Sequence, residues 1–110
     1  MEVKEYTPIY RKAMIDLLKK YDKCQVPILE ECLNREDLIA FVLIDKKKFR
    51  GYVVGNIVDA NTVFCLLWQS KTTQHGMFLA HEAIKKVKQL GYKELIFSRD
   101  QDQKLYRREL

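Results

Sequence analysis

The fold of this chain is decided between residues 62 and 97, which read TVFCLLWQSKTTQHGMFLAHEAIKKVKQLGYKELIF. Residues 62–68 are apolar on both faces and predict a strand in the centre of a sheet. Apolar side chains then recur at helical spacing, and Gly91 is a typical residue to end that helix. Residues 92–97 predict a second strand. Because a helix separates the two strands, we expect them to lie parallel in one crossover unit.

Two more strands are predicted immediately before this unit. Residues 38–44 form a continuous apolar run, and residues 49–58 return after a polar turn. Within the return strand, Gly51 and Gly55 mark a bulge or a close approach of two backbones. Together with residues 62–68, these segments predict a three-stranded antiparallel meander.

The N-terminal part of the chain predicts a short strand and two helices. Residues 3–6 alternate apolar and polar side chains, as a strand does. Thr7 and Pro8 form a typical helix start, and an apolar stripe at helical spacing follows them. Pro27 opens a shorter helix, which Asn34 ends. The complete order predicts an α+β fold with a mixed sheet.

Length and composition indicate a single domain that spans residues 1–110. Hydrophobic residues make up 47% of the chain and charged residues 32%, which is too apolar for a disordered protein. No apolar run reaches the roughly 18 residues of a membrane span, and the first residues do not resemble a signal peptide. Three widely spaced cysteines form no disulfide framework. We therefore expect a cytoplasmic protein that does not contact a membrane.

The charge balance points to an anionic partner. Twenty basic and fifteen acidic residues give a net charge of +5, which suits either nucleic acid or a phosphorylated cofactor. Carboxylates interrupt the basic stretches and no aromatic ladder accompanies them, so the pattern disfavours nucleic acid. Metal binding is also disfavoured, because His75 and His81 lie six residues apart and do not share a helix face.

The loop that leads into the long helix is the candidate binding site. A helix N-terminus presents free backbone N–H groups and a partial positive charge, so it attracts phosphate. The residues at this point combine a basic group, hydroxyls and a glycine, as a pyrophosphate site requires: Lys71, Thr72, Thr73, Gln74, His75 and Gly76. The alternative is an ordinary cap, with Thr72 or Thr73 as the N-cap and Gly76 chosen for close packing.

The order of elements and one long segment resemble the GNAT superfamily of N-acyltransferases. Residues 79–97, LAHEAIKKVKQLGYKELIF, look like that family's cofactor helix and following strand. The family places the pyrophosphate loop Arg/Gln-x-x-Gly-x-Gly/Ala before this helix. Counting back from Gly91, Lys71 stands at the basic first position and Gly76 keeps the final glycine. Gln74 replaces the middle glycine, and its Cβ is expected to narrow the approach to the phosphates.

The resemblance implies an acyl-CoA cofactor, in particular acetyl-CoA, and transfer of the acyl group to an amine of a small molecule or a protein. It implies that Lys71 and the loop amides hold the pyrophosphate. It also implies that the central strand positions the pantetheine arm and the thioester, through Cys65, Leu66, Leu67 and Trp68. No metal is implied.

Catalytic roles follow from the same resemblance. Leu105, Tyr106 and Leu110 recur at near-helical spacing and predict a last helix. Tyr106 stands where the family places a tyrosine that protonates the leaving thiolate, and a half-buried packing role is its alternative. The family's general base is often a carboxylate near the central strand, and Asp45 and Asp59 are the nearby candidates.

Typical members of the family continue beyond the equivalent of Leu110 with two strands that complete the acceptor side. We therefore expect an open sheet edge, which a second copy of the chain or a large acceptor completes. A different hypothesis is a non-catalytic GNAT-like module for protein interaction or self-assembly. The replaced loop glycine, the lack of a carboxylate within residues 62–68 and the absent final strands support it. Compact proteins of this shape also resemble acetyltransferase-like proteins of tailed phages.

Overall fold

The computed structural model describes residues 1–98 and 104–110. Its strands and helices follow one another in this order: β1 (Glu2–Glu5), α1 (Arg11–Tyr21), α2 (Val26–Leu33), β2 (Leu38–Asp45), β3 (Lys48–Asp59), β4 (Thr62–Ser70), α3 (Thr73–Gln89), β5 (Glu94–Ser98) and β6 (Leu105–Glu109). Short 3-10 turns, Pro8–Tyr10 and Lys23–Gln25, lead into α1 and α2. In the described part of the chain no helix is long and apolar enough to cross a membrane.

The six strands form one sheet in the order β1-β2-β3-β4-β5-β6. Every neighbouring pair is antiparallel except β4 and β5, which α3 connects as a parallel crossover. This arrangement confirms the α+β fold with a mixed sheet, an antiparallel meander and a strand–helix–strand crossover. Gly91 adopts a positive φ of 98° after α3, as a helix-ending glycine does.

Helices cover both faces of the sheet, and each face has its own core. On one face α1 and α2 pack through Met14, Leu18 and Leu29 against Val42 and other buried strand residues. On the opposite face α3 packs on Phe41 and Val63. Val42 and Phe41 are neighbours in β2 and point to opposite faces, as the two-residue period of a strand requires. The apolar run of β2 is therefore explained by burial on both sides.

Both strand glycines lie beside irregularities in strand pairing, which confirms the prediction for Gly51 and Gly55. The pairing of β3 with β4 shifts between Val54, which faces Leu67, and Gly55, which faces Cys65, so Leu66 is one extra residue in β4. A Cβ at position 55 would lie 2.2 Å from the carbonyl oxygen of Phe64. Only a glycine permits this approach.

The predicted last helix is wrong for the described residues of that segment. Residues 105–109 form β6, which pairs antiparallel with β5, while residues 100–103 lie outside the described part of the chain. Tyr106 faces Phe97 across the two strands, and their rings stack with centroids 5.7 Å apart. A few apolar residues at near-helical spacing are a weak signal, and pairing with a long-range partner strand overrides it.

The open edge expected at β5 is therefore occupied by the chain's own β6. Closure of the sheet by a second copy remains a prediction, with β6 instead of β5 as the strand available to a partner.

Candidate functional site

The parallel pairing of β4 with β5 covers only the first half of β4. Residues Thr62 to Cys65 of β4 pair with Glu94 to Phe97 of β5. β4 then continues to Ser70, and its later residues pair only with β3 among the described strands. Among the described strands, β4 therefore has a neighbour on one side only from Leu66 to Ser70, and we call this unpaired stretch of the β4–β5 junction the split. The family resemblance requires such free backbone groups for contact with a cofactor.

The extra residue Leu66 lies at the point of divergence. A bulge bends its strand and disrupts the ladder locally, and this bulge falls where the pairing of β4 with β5 ends. Backbone N–H and C=O groups of an antiparallel strand alternate between its two sides. Those between Leu66 and Gln69 that point away from β3 therefore have no strand partner in the described structure.

A cleft of about 690 Å³ occupies the split and continues beneath α3. Its walls include all four strand residues that the sequence singled out: Cys65, Leu66, Leu67 and Trp68. Leu67 belongs to the core under α1 and α2, whereas Val63 belongs to the core under α3. The cleft therefore passes from one face of the sheet towards the other, and Gln25 lines it on the α2 side.

A second cavity of about 450 Å³ lies at the start of α3. Lys71, Thr72, Thr73 and Gly76 line it, as the sequence predicts for a loop that meets a ligand. Gln74 and His75 do not line either cavity, and Gln74 is exposed. The side chain that replaces the family's glycine therefore leaves this cavity open.

Trp68 and Gln69 line both cavities, which are therefore adjacent. Trp68 is 48% exposed and forms part of the wall of each cavity. One cavity lies at the start of α3, and its neighbour lies at the split between β4 and β5.

Thr72 is the N-cap of α3, which confirms one of the two caps considered from the sequence. Its hydroxyl accepts a hydrogen bond from the His75 amide at 3.1 Å, and its carbonyl accepts one from the Gly76 amide at 3.0 Å. The amides of Thr73 and Gln74, which lie between Thr72 and His75 in the chain, have no hydrogen-bond partner within the described structure. These are the free donors that a helix N-terminus offers to an anion.

The His75 ring ties the start of α3 to the end of β2. Its Nδ1 lies 2.8 Å from the Thr72 hydroxyl, and its Nε2 lies 3.4 Å from a carboxylate oxygen of Asp45. The hydrogen bond from His75 holds the pKa of the Asp45 carboxyl below its ordinary value of 3.8, and the N-terminal amine and Lys46 act in the same direction. The His75–Asp45 pair therefore holds the N-cap at Thr72 in place, and neither residue of the pair lines the cavity at the start of α3.

The Asp45 contact predicts a pH-dependent contribution to stability. Because the folded-state pKa of Asp45 is lowered, its contribution is present above the unfolded value near 3.8 and is lost as the pH falls through the folded-state pKa. Asp45→Asn should therefore lower the thermal midpoint at pH 6, and the difference from the wild type should shrink below pH 3.8. Thermal unfolding across pH 2.5 to 6 measures this; a difference that is constant with pH would contradict it.

Gly76 packs the first turn of α3 against β4. Gly76 is buried, and a Cβ there would lie 2.6 Å from the Ser70 hydroxyl, which itself donates to the Thr72 carbonyl at 2.7 Å. This confirms the close-packing interpretation of the glycine, which also lines the cavity, while its role at a pyrophosphate stays a prediction. A bulky side chain at Gly76 would disturb the helix contact together with the cavity.

The predicted catalytic side chains are not grouped in the cleft. Asp59 caps the β3–β4 turn by accepting from the Asn61 amide, at the end of β4 where β5 is still paired. Asp45 and Asp59 do not line either cavity, nor does Tyr106. Tyr106 lies on β6 behind Phe97, which does line the cleft. No aspartate or glutamate lines either cavity among the described residues.

Cys65 is the thiol that lines the cleft at the point of divergence. Burial raises its pKa to about 11, so the group is a neutral thiol at pH 7. A neutral thiol at this position adds an uncharged wall and a weak proton donor.

Sequence reasoning missed three features of this region. The Tyr21 hydroxyl donates to the Ser70 carbonyl at 3.0 Å and lines the loop cavity. Arg108 reaches the wall of the cleft from β6. The third is the identity of the bulged residue, Leu66: Gly55 predicts a bulge or a close approach in β3, but nothing in the apolar run of β4 identifies the extra residue. The chain carries a weak signal for Tyr21, which closes the apolar stripe of α1, and none for Arg108.

Neither a protein-family model nor a curated protein matches the chain. Solved structures do match it, and the chain has the fold of the GNAT N-acetyltransferases. One similar structure is the aminoglycoside 6'-N-acetyltransferase from Enterococcus faecium, with 18% identity and a TM-score of 0.72, covering 88% of this chain and 60% of that one.

Two Escherichia coli proteins are also similar. The GNAT family N-acetyltransferase YhbS, solved in complex with CoA, has 17% identity and a TM-score of 0.76, covering 90% of this chain and 62% of that one. The ribosomal-protein-S18-alanine N-acetyltransferase has 11% identity and a TM-score of 0.78, covering 92% of this chain and 68% of that one. The present chain thus spans about three fifths of the length of the aminoglycoside 6'-N-acetyltransferase from Enterococcus faecium.

Proposed function

We propose that this protein binds an acyl-CoA and transfers the acyl group to an amine. The observation that carries the proposal is that two adjacent cavities each meet unpaired backbone groups. The free amide of Thr73 belongs to a residue that lines one cavity, and the unpaired edge of β4 after Leu66 lines the other. An elongated ligand with phosphates at one end and amides along its arm matches both sets.

The residues fit such a cofactor in three respects. The start of α3 carries free donors and the exposed Lys71, which suit a pyrophosphate. The apolar strand from Cys65 to Trp68 suits an extended arm, whose amides can pair with the free backbone groups of β4. The exposed Gln74 lies outside the cavity wall, so the replaced glycine does not obstruct the site.

Bound acyl-CoA would supply an acyl group already activated as a thioester. The β4 backbone amides that face the split would polarise the thioester carbonyl. Acyl transfer would form a bond between the acceptor nitrogen and the acyl carbon, break the carbon–sulfur bond and leave the proton of the amine on the sulfur. The opening at Gln25 is the route for the acceptor.

Tyr106 does not line the cleft itself and lies behind Phe97, which does. As general acid its hydroxyl would need to reach the sulfur past the Phe97 ring, on which it is stacked. We therefore assign the protonation of the leaving thiolate to Tyr106 only if Tyr106→Phe lowers kcat without changing the affinity for CoA. Packing at the β5–β6 junction is the alternative, and it predicts a loss of stability instead.

The first test of the proposal is thermal unfolding with and without CoA. A ligand present at 100 times its dissociation constant stabilises the folded state by about 2.7 kcal/mol, which raises the midpoint of a domain of this size by roughly 10 °C. Trp68 is the single tryptophan of the chain and lies between the two cavities, so its fluorescence should change with the same concentration dependence.

Two outcomes separate the hypotheses. A saturable shift in both signals supports the acyltransferase and justifies a screen of amine acceptors. No shift at millimolar CoA would contradict cofactor binding and favour the non-catalytic module, which size-exclusion chromatography with light scattering can then examine as a monomer or a dimer.

A further inference from the structure

The ring of His75 lies outside the cavity at the start of α3 but is bonded to a residue that lines it. Thr72 lines this cavity, and its hydroxyl oxygen lies 2.8 Å from Nδ1 of His75. The same oxygen accepts the hydrogen bond from the His75 amide that caps the helix. One hydroxyl in the wall of the cavity therefore serves the helix cap and the histidine ring together.

The contact on the other side of the ring fixes the direction of these hydrogen bonds. Asp45 carries a carboxylate, which is ionised at neutral pH and only accepts hydrogen bonds. Nε2 of His75 lies 3.4 Å from this carboxylate and therefore carries the hydrogen of the neutral ring. Nδ1 is then an acceptor, and the Thr72 hydroxyl donates its proton to it. In this state Thr72 has no proton left for a ligand.

Protonation of the ring reverses the bond between His75 and Thr72. Both nitrogens of a charged histidine are donors, so Nδ1–H donates to the Thr72 oxygen. That oxygen then accepts from the ring and from the His75 amide, and its own proton is released. The released O–H becomes a donor for an anion in the cavity, beside the free amide of Thr73.

The charges around the ring link its protonation to the binding of an anion. Asp45 favours the charged ring, whereas the positive end of α3 opposes it. Cationic groups on the neighbouring segments oppose it as well: the Met1 amine, Lys46, Lys48 and Lys71. An anion at the start of α3 offsets these positive charges. Because linkage is reciprocal, an anion that favours the charged ring binds more tightly when the ring is charged.

We propose that His75 is a positioning residue for the pyrophosphate of the cofactor, and that its ring takes up a proton when the pyrophosphate binds. The inference rests on the proposed function and adds a pH-dependent control of the same site. His75 does not line the cavity and acts through the Thr72 hydroxyl. Histidine changes charge between about pH 5 and 8, so the affinity for the pyrophosphate should rise as the pH falls through this range.

Calorimetry with dephospho-CoA tests this assignment. This probe keeps the pyrophosphate and lacks the 3'-phosphate of CoA, which itself titrates near pH 6. Binding to the wild type, measured in two buffers of different ionisation enthalpy, should be accompanied by uptake of a proton. The affinity should be about threefold to tenfold higher at pH 6 than at pH 8, as expected for one additional hydrogen bond.

Two pairs of variants assign the effect. His75→Gln should bind dephospho-CoA without proton uptake, while His81→Gln should behave as the wild type, because His81 is exposed on the same helix. Thr72→Gly removes the hydroxyl but keeps a residue that is tolerated as an N-cap, so it should lose most of the pH dependence. Thr72→Ser restores a hydroxyl and should retain it. NMR spectra of the wild-type His75 ring give the same readout without a substitution, since the ring should become charged when dephospho-CoA is added at constant pH.

The possible results are distinguishable. Binding of dephospho-CoA to the wild type without proton uptake would overturn the inference while leaving the proposed function intact. Proton uptake that persists in His75→Gln would assign the proton to another group and overturn the role of His75. A pH dependence that Thr72→Gly leaves unchanged would overturn the role of the hydroxyl. Failure of both CoA and dephospho-CoA to bind at any pH would overturn the proposed function itself.

Discussion

Gly55→Ala is expected to destabilise the protein by about 3 kcal/mol or more, which lowers the thermal midpoint by roughly 15 °C. The added Cβ would lie 2.2 Å from the Phe64 carbonyl oxygen, an atom of the backbone that cannot rotate away. Relief requires β3 and β4 to separate beside the bulge at Leu66, in the middle of the sheet. Thermal or denaturant unfolding measures the change.

Gly76→Ala is the matched control for this prediction. Its new Cβ meets the side-chain hydroxyl of Ser70, which can adopt another rotamer, and alanine is favoured over glycine inside a helix by about 1 kcal/mol. We therefore expect a much smaller loss from Gly76→Ala than from Gly55→Ala. Similar losses for the two variants would show that the close approach at Gly55 is not what limits stability.

Thr73→Pro is expected to weaken CoA binding by roughly 10- to 100-fold without unfolding α3. Thr73 is the first residue of α3, a position where proline is well accepted. Thr72 already has the extended backbone that a following proline requires, with φ −139° and ψ 160°. The substitution therefore removes one free amide at the start of the helix and leaves the cap at Thr72 in place.

Thr73→Ala separates the amide from the side chain, because it keeps the N–H and removes the hydroxyl. Calorimetry should give near-wild-type affinity for Thr73→Ala and a large loss for Thr73→Pro, with similar thermal midpoints for the two. If Thr73→Pro binds CoA as the wild type does, the amide of Thr73 is not a phosphate ligand. An equal loss in both variants would instead assign the effect to the hydroxyl.

The sheet centre and α3 were predictable because their signals are local. The apolar residues 62–68, the helical period before Gly91 and the apolar run of β2 each report burial within a few residues of sequence. These patterns were sufficient for the order of elements and for the parallel crossover. The cap at Thr72 was predictable for the same reason, since a capping side chain bonds within one turn.

The rest depended on contacts between distant segments. Leu66 is one leucine in a continuous apolar run, and nothing in the run distinguishes an extra residue from a paired one. The contact of His75 with Asp45 joins positions 30 residues apart. β6 exists because β5 offers it a pairing edge, so the spacing around Tyr106 suggested a helix and the partner strand decided otherwise.

The bulge at Leu66 divides β4 into two parts that have different neighbours. Up to Cys65 it is an interior strand with neighbours on both sides, and after Leu66 it is an edge strand within the part of the chain that the structure describes. Edge strands attract other strands and are usually protected against aggregation. Here the edge borders the cleft that β5 and α3 also line, so its unpaired groups face a cavity in the described structure. Under the proposed function, the amide-bearing arm of the cofactor takes the place that a further strand would occupy at this edge.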